Sequence, residues 1–219
     1  FPEARIIDDE RVMDAVLKGK VEIAAPSLSL VKQYSPRYQL FDLPFIFASP
    51  AAAEAFLKSD YANRLVRTLE RKGFYGFGYM TGGMSQITSN KKVVVPEDLS
   101  GMAMSTTSSQ VEQAWVEEME ARPVELAFSR VSRAIRRGKV DGQMNVYSNI
   151  YANKFHKHQK YILESNHIHQ GYIFIASSKF MQGLPQDIRE QVKKLMSEAI
   201  AYGNDLAKES NEIDRQNIV

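Results

Sequence analysis

Cysteine is absent from the 219 residues. Disulfide scaffolds, thiolate zinc sites and cysteine nucleophiles are excluded with it. The compartment stays open, because exported bacterial proteins can lack cysteine too. Long apolar runs are also missing. Val93-Val94-Val95 and Tyr172-Ile173-Phe174-Ile175-Ala176 are strand-sized, far short of the ~20 residues a spanning helix needs. Neither sign of charge dominates: 28 Lys and Arg against 26 Asp and Glu leave a net +2. No basic stripe points to nucleic acid. The nearest group, Arg130, Arg133, Arg136 and Arg137, falls on one short predicted helix and reads as a solvated face.

Catalytic signatures are missing as well. There is no phosphate loop, and Gly76-x-Gly78 followed by Gly82-Gly83 has the wrong spacing for a dinucleotide fingerprint. No Gly-x-Ser-x-Gly elbow occurs. The four histidines form two pairs, His156-x-His158 and His167-x-His169. Two histidines two apart share a face only on a strand, and no carboxylate stands at ligand spacing. Surface or hinge packing is the reading for both pairs, with no metal and no cofactor expected.

What is present is an alternation of helices and strands in a chain of ordinary globular composition, 44% hydrophobic and 25% charged. A length of 219 residues suits one large domain or two lobes of about 100 residues. Val12, Met13, Val16 and Leu17 recur at helical spacing and predict a helix over Asp9 to Lys18, stopped by Gly19. Val21 to Ala24 reads as a strand. Ser49-Pro50 opens a helix to about Ser59, and Tyr61 to Lys72 forms another that buries Leu65, Val66 and Leu69. Gly73 to Met80 is a strand whose interior glycines predict close approach by something else. Ile87 to Val95 and Gly101 to Thr106 carry strand signals around the turn Pro96-Glu97-Asp98-Leu99. Ser109 followed by Glu112 is a capping box, and Val111, Ala114, Trp115 and Met119 form the predicted buried face.

Phe128-Ser129 opens a helix ending at Gly138. Val140 to Asn145 is a strand, Ser148 to Gln159 a helix, and Tyr161 to Leu163 and Gly171 to Ala176 are strands. Pro185 starts a long helix to about Gln216, with Ile188, Val192, Leu195, Met196, Ala199 and Leu206 on one face. Such alternation implies an α/β fold with mainly parallel sheets. No internal repeat and no low-complexity linker interrupts it. Within it, Asp141-Gly142-Gln143-Met144-Asn145 is a polar cluster on a short strand. Solutes bound by open α/β sheets sit at the carboxyl ends of strands, where Gln143 and Asn145 can donate and accept. A turn held by the Asp and Asn side chains reads equally well.

Several segments together resemble the substrate-binding proteins of tripartite ATP-independent periplasmic (TRAP) transporters, the DctP type. Arg11 to Val16 followed by Gly19-Lys20-Val21-Glu22-Ile23 is similar to the family's first helix and strand. Phe41-Asp42-Leu43-Pro44-Phe45-Ile46-Phe47 resembles its Phe-Asp-Leu-Pro-Phe signature, and Pro96-Glu97-Asp98-Leu99-Ser100-Gly101 its Pro-Glu-Asp-Leu-Lys-Gly turn. Pro123-Val124, Phe128-Ser129-Arg130-Val131 and Gly138-Lys139-Val140-Asp141-Gly142-Gln143-Met144-Asn145 follow in order, then Lys154-Phe155, Gln159-Lys160-Tyr161 and Asn166-His167. Each motif is weak alone; six in order at matching spacing are specific.

The resemblance implies a periplasmic-binding-protein-like (type II) bilobed fold. Two α/β lobes, residues 1–82 with 171–210 and residues 83–170 with 211–219, would be joined by hinge strands and a long C-terminal helix, with the ligand cleft between them. It implies that both ends are short relative to the family, in keeping with an opening, Phe1-Pro2-Glu3-Ala4, that has neither the basic region nor the apolar stretch of a leader. It implies a periplasmic, monomeric binder, not an enzyme, that closes on a small solute and hands it to a TRAP-type membrane permease. The alternatives are a periplasmic component of an ABC transporter, an enzyme on the same scaffold, for which no acid–base–nucleophile set is present, and a sensing domain of a regulator.

The family commonly grips a carboxylate with arginines. The matching positions here are Ser85 and Ser105, the motif asparagine is Asn145, Met144 replaces its Glu, and Phe128 stands where an aromatic meets the solute. Two serines can hydrogen-bond a solute but cannot neutralise an anion as a bidentate arginine does. A neutral or zwitterionic solute is therefore favoured. Two other routes stay open: an anion on the helix start near Thr107, Ser108 and Ser109, or a Lys or His from elsewhere. The expected ligand set is Ser85, Ser105, Asn145, Phe128, Gln143, Tyr147, Ser108 and Met80. Tyr79, Met80, Met84 and Tyr147 serve either as apolar walls or as core.

Overall fold

The computed structural model describes residues 7 and 9–219; the opening Phe1-Pro2-Glu3-Ala4 lies outside the described residues. The chain divides into two compact units. The first comprises Phe1–Phe41, Ala48–Gly82 and Gly171–Ala207, the second Asp42–Phe47, Gly83–Gln170 and Lys208–Val219.

In the first unit, α1 (Asp9–Leu17) buries Met13, Ala15 and Val16, and Gly19 leaves it at φ 67°, the left-handed stop that glycine takes without strain. β1 (Ile23–Ala24) pairs antiparallel with β8 (His169–Ser177), and β8 also adjoins β2 (Phe74–Met84), in the order β1-β8-β2. The short helix α2 (Leu28–Val31) buries both of its terminal residues. α3 (Pro50–Leu57) and α4 (Asp60–Glu70) are N-capped by Ser49 and Ser59, whose hydroxyls accept from Ala52 N and Ala62 N at 3.1 and 3.3 Å. α4 buries Ala62, Leu65, Val66 and Leu69, each large aliphatic contributing roughly 1.5–3 kcal/mol relative to exposure. Tyr38, Phe41 and Phe74 are fully buried. Tyr38 and Tyr79 share a hydroxyl–hydroxyl bond of 3.0 Å, and Tyr79 donates to Ala62 O at 3.0 Å.

The glycines of β2 are explained by what approaches them. A Cβ at Gly76 would overlap Val66 Cγ1 of α4, and one at Gly78 would meet Ile200. The strand runs four residues beyond its expected end at Met80, to Met84.

The second unit is built on a five-stranded sheet in the order β5-β4-β6-β3-β7, with β3 Gln86–Ser89, β4 Ala103–Thr106, β5 Arg122–Glu125, β6 Gly142–Asn145 and β7 Tyr161–Leu163. β4 lies parallel to β5 and β6, while β3 is antiparallel to β6 and β7. The sheet is thus mixed, and the expectation of mainly parallel pairing holds only around β4. Residues alternate between its faces. Ile87, Met104 and Met144 join Val93, Leu99, Met102, Val116 and Ala121 in one core. Val124 and Ile162 join a second core with Val131, Ala134, Ile135, Val140, Ile150 and Phe155.

α5 (Gln110–Glu118) and α6 (Phe128–Arg136) start where their capping and phase signals place them. The face of α5 differs from expectation: Val116 is its buried residue, and Ala114 is exposed. Arg130, Arg133, Arg136 and Arg137 are all exposed. The helix expected over Ser148 to Gln159 is only α7 (Tyr147–Ala152), because Lys154 turns left-handed at φ 58° before a 3-10 turn at Phe155–Lys157. The strand expected over Ile87 to Val95 ends at Ser89. α8 (Ser178–Gly183) precedes α9 (Gln186–Ile218), a single helix of 33 residues.

α9 buries Ile200, while Ile188, Leu195, Ala199 and Leu206 of the expected apolar face are exposed. Its polar residues dock it in each unit. Asn204 Oδ1 accepts from Thr81 N at 2.7 Å in the first, and Asn211 Oδ1 accepts from Ser148 N at 3.2 Å in the second. β2, β8 and α9 each have residues in both units.

Candidate functional site

Seven of the eight residues expected to meet a solute lie in the second unit; Met80 lies in the first. Met104 of β4 pairs with Gly142 of β6, and Thr88 of β3 with Gln143. Continuing that register sets Val124, Ser105, Gln143, Thr88 and Ile162 in one row across all five strands. At the end of the sheet where β4 and β6 finish, Asn145 faces Gln86. Ser85 stands one residue before β3 and Ser108 two beyond β4, so both belong to that same end.

The polar groups there are buried. Ser85, Gln86 and Gln143 are 1–2% exposed, and Ser105 and Asn145 6 and 7%. Some are committed internally. Gln143 Nε2 donates to Thr88 Oγ1 at 2.7 Å, Thr88 Oγ1 donates to Gln159 Oε1, and Gln159 Nε2 donates to Asp141 O at 3.1 Å. That chain ties β6 to β3, a structural duty for Gln143. Gln86 Nε2 donates to Asn166 Oδ1 at 2.7 Å, and its Oε1 accepts from Asn166 N at 3.1 Å. Asn145 Oδ1 accepts from Val146 N at 3.2 Å and from Asn149 Nδ2 at 2.6 Å. The Nδ2 of Asn145 is what remains to donate outward. Ser85 Oγ, Thr106 Oγ1 and Gln143 Oε1 are buried with no hydrogen-bond partner among the described residues. Thr106 was not in the sequence-predicted set; its place at the end of β4 is the signal that marks it.

Tyr147 is buried and its hydroxyl donates to Glu164 Oε1, which also receives Arg215 Nε at 2.6 Å. Burial and that carboxylate raise the Tyr147 phenol above its ordinary value, and Arg215 with Tyr147 holds Glu164 below its own. Phe128 is exposed at the start of α6, edge-on to Phe155 at 6.3 Å between ring centroids. Tyr79 and Met84 are core residues, and Met80 packs where a Cβ at Gly203 would strike its Sδ.

The start of α5 is filled by the protein itself. Ser109 Oγ accepts from Glu112 N at 3.4 Å and donates to Asp42 Oδ2 at 2.6 Å. Glu112 Oε2 accepts from Thr107 N at 3.0 Å and from the Thr107 hydroxyl. Two carboxylates thus stand beside the start of α5, one on the Ser109 hydroxyl and one on Thr107, and bring negative charge to the helix terminus. His167 and His169 bring no charge. His167, stacked on Trp115 at 4.8 Å, is pushed down to about 3 by burial, and His169, edge-on to Phe47 at 5.9 Å, to about 4.

A separate groove of about 430 Å³ runs between α4 and β2 in the first unit, lined by residues such as Arg64, Arg67 and Gly76. No residue of the expected ligand set lines it, and the chemistry described above lies at the sheet edge instead.

An α/β chain of two units with buried, partly unsatisfied polar groups toward the end of a sheet where β4 and β6 finish has the build of a small-molecule binder. The chain belongs to the bacterial extracellular solute-binding protein family 7 (DctP), whose profile matches residues 1–219. It is 38% identical to the C4-dicarboxylate-binding periplasmic protein DctP of Shewanella loihica, covering 100% of this chain and 65% of that one. It is 34% identical to the protein of the same name from Vibrio cholerae, covering 100% and 66%. The chain therefore spans about two thirds of the length of these relatives. Its fold matches a crystal structure of a TRAP periplasmic solute-binding protein from Shewanella oneidensis with bound succinate, at a TM-score of 0.97 and 36% identity, over 100% of this chain and 72% of that one. The type II solute-binding fold implied by the motifs is the fold found.

Proposed function

We propose that the protein is the periplasmic solute-binding component of a TRAP transporter, a monomer that captures a small polar solute by hinge closure and delivers it to a TRAP-type membrane permease. Family membership supports this over an ABC-transporter component. The observation that carries it is the sheet edge, where Ser85 Oγ and Thr106 Oγ1 are buried without partners and Asn145 keeps one donor in hand. Such groups cost free energy until something hydrogen-bonds them. The protein works by binding without turnover, and lobe closure strengthens polar contacts by excluding water.

A thermal-shift screen with organic acids, sugars, amino acids and amines tests the reading. A ligand that binds only the folded state raises the melting temperature by mass action. One class is expected to do so, and Asn145→Ala is expected to weaken that hit. Chemical conversion of the hit would sink the binder reading.

A further inference from the structure

In the second unit every lysine and arginine is exposed except Arg215, and Arg215 is held by Glu164 through contacts of 2.6 and 3.2 Å. The two buried histidines stay neutral near pH 7. No buried cation is therefore free in this unit, among the described residues, to meet an anionic ligand group. The unit instead buries a carboxylate: Asp42 is 2% exposed and sits on Ser109 at the start of α5, four residues past Ser105. A solute carboxylate brought to the end of β4 and β6 would lose its hydration with no buried cation of this unit to compensate it.

What the edge does offer is neutral and two-sided. The Ser85 and Thr106 hydroxyls can each donate or accept, and both lack a partner. Asn145 offers an N–H, since its oxygen is already taken twice. Carboxylates only accept and ammonium groups only donate. A hydroxyl does both, and it costs far less to bury than a charge.

We propose that the solute group seated on the second unit is uncharged and hydroxyl-bearing, so that the ligand is a neutral polyol or sugar rather than a carboxylate or an amino acid. This rests on the solute-binding reading above. It separates the neutral from the zwitterionic alternative that the two serines alone leave open.

Matched probes test it by calorimetry on the full chain: galactose with galacturonate, sorbitol with gluconate, butanediol with succinate, and glycine betaine and alanine as zwitterions. In at least one pair the neutral member should bind more tightly than its acid by about tenfold or more, with an affinity unchanged from low to high salt. Tighter binding of the acids or of the zwitterions, or an affinity that falls steeply with salt, overturns the proposal and leaves the solute-binding reading intact. Binding of no probe at all overturns both.

Ser85→Ala and Thr106→Val give a second arm. Each removes a hydroxyl that has no partner in the free protein, so the melting temperature without ligand should hold or rise. Affinity for the neutral hit should fall several-fold. Unchanged affinity in both variants would remove these hydroxyls from the site and the proposal with them.

Discussion

Ser109 Oγ donates to Asp42 Oδ2 at 2.6 Å, joining residues 67 positions apart in the sequence. The same hydroxyl accepts from Glu112 N at 3.4 Å as the N-cap of α5. One side chain thus caps a helix and satisfies a buried carboxylate. The arrangement fixes the Asp42–Phe47 segment to the second unit, with Phe45 N donating to His167 O at 2.6 Å a few residues on.

Ser109→Ala loses both bonds. The cap is worth about 1 kcal/mol and the loss of this donor to the buried Asp42 carboxylate at least as much again, so a loss of about 2 kcal/mol is expected in urea denaturation. Asp42→Asn keeps an acceptor for Ser109 and gives up only the charge at the helix start, so it should cost less. The reverse order would mean that the Asp42 charge, not the bond, holds the segment.

Gly76 and Val66 form a second testable pair. A Cβ at Gly76 would overlap Val66 Cγ1, while the backbone at Gly76 is not in the left-handed region. Gly76→Ala is therefore expected to cost about 1–3 kcal/mol through overpacking alone. In a Val66→Ala background the same substitution should be close to neutral. A double-mutant cycle by denaturant unfolding reads the coupling directly.

The pH dependence of stability follows from the buried histidines. His167 and His169 are held near 3 and 4 by burial, against 6.5 in an unfolded chain. Between those values the unfolded state binds more protons, so stability rises with pH there. It should be fully present above about pH 6.5 and decline as pH falls toward 4, by up to about 1.4 kcal/mol per pH unit for each histidine. Urea midpoints measured from pH 7 to 5 check the slope. His167→Gln should reduce it by about half, and an unchanged slope would mean that other groups set it.

Much of this was legible in the sequence where a local rule decides the outcome. Ser49 and Ser109 cap the helices their positions announce, and the α4 apolar face is buried as its period requires. The motif order from Phe41 to His167 carried the family. What was not legible depends on partners distant in sequence. The expected strand over Ile87 to Val95 stops at Ser89 because only four residues find pairing partners in β6 and β7. Lys154 in a left-handed conformation cuts α7 short without a glycine to signal it. The Glu112 carboxylate reaches Thr107 rather than closing the box on Ser109 N. At the edge, Ser85 and Asn145 could be named, but the duty of Gln143 toward Thr88 and Gln159, and the carboxylate of Asp42 beside Ser109, emerge only from the three-dimensional packing.

Calorimetric titration of the protein with the hit from the solute screen, repeated on Asn145→Ala, is the most direct measurement. A solute-binding protein using this sheet edge should take up one solute per chain, leave it chemically unchanged, and lose about tenfold or more in affinity when the Asn145 amide is removed. Several solutes bound per chain, conversion of the solute, or full affinity in Asn145→Ala would contradict it.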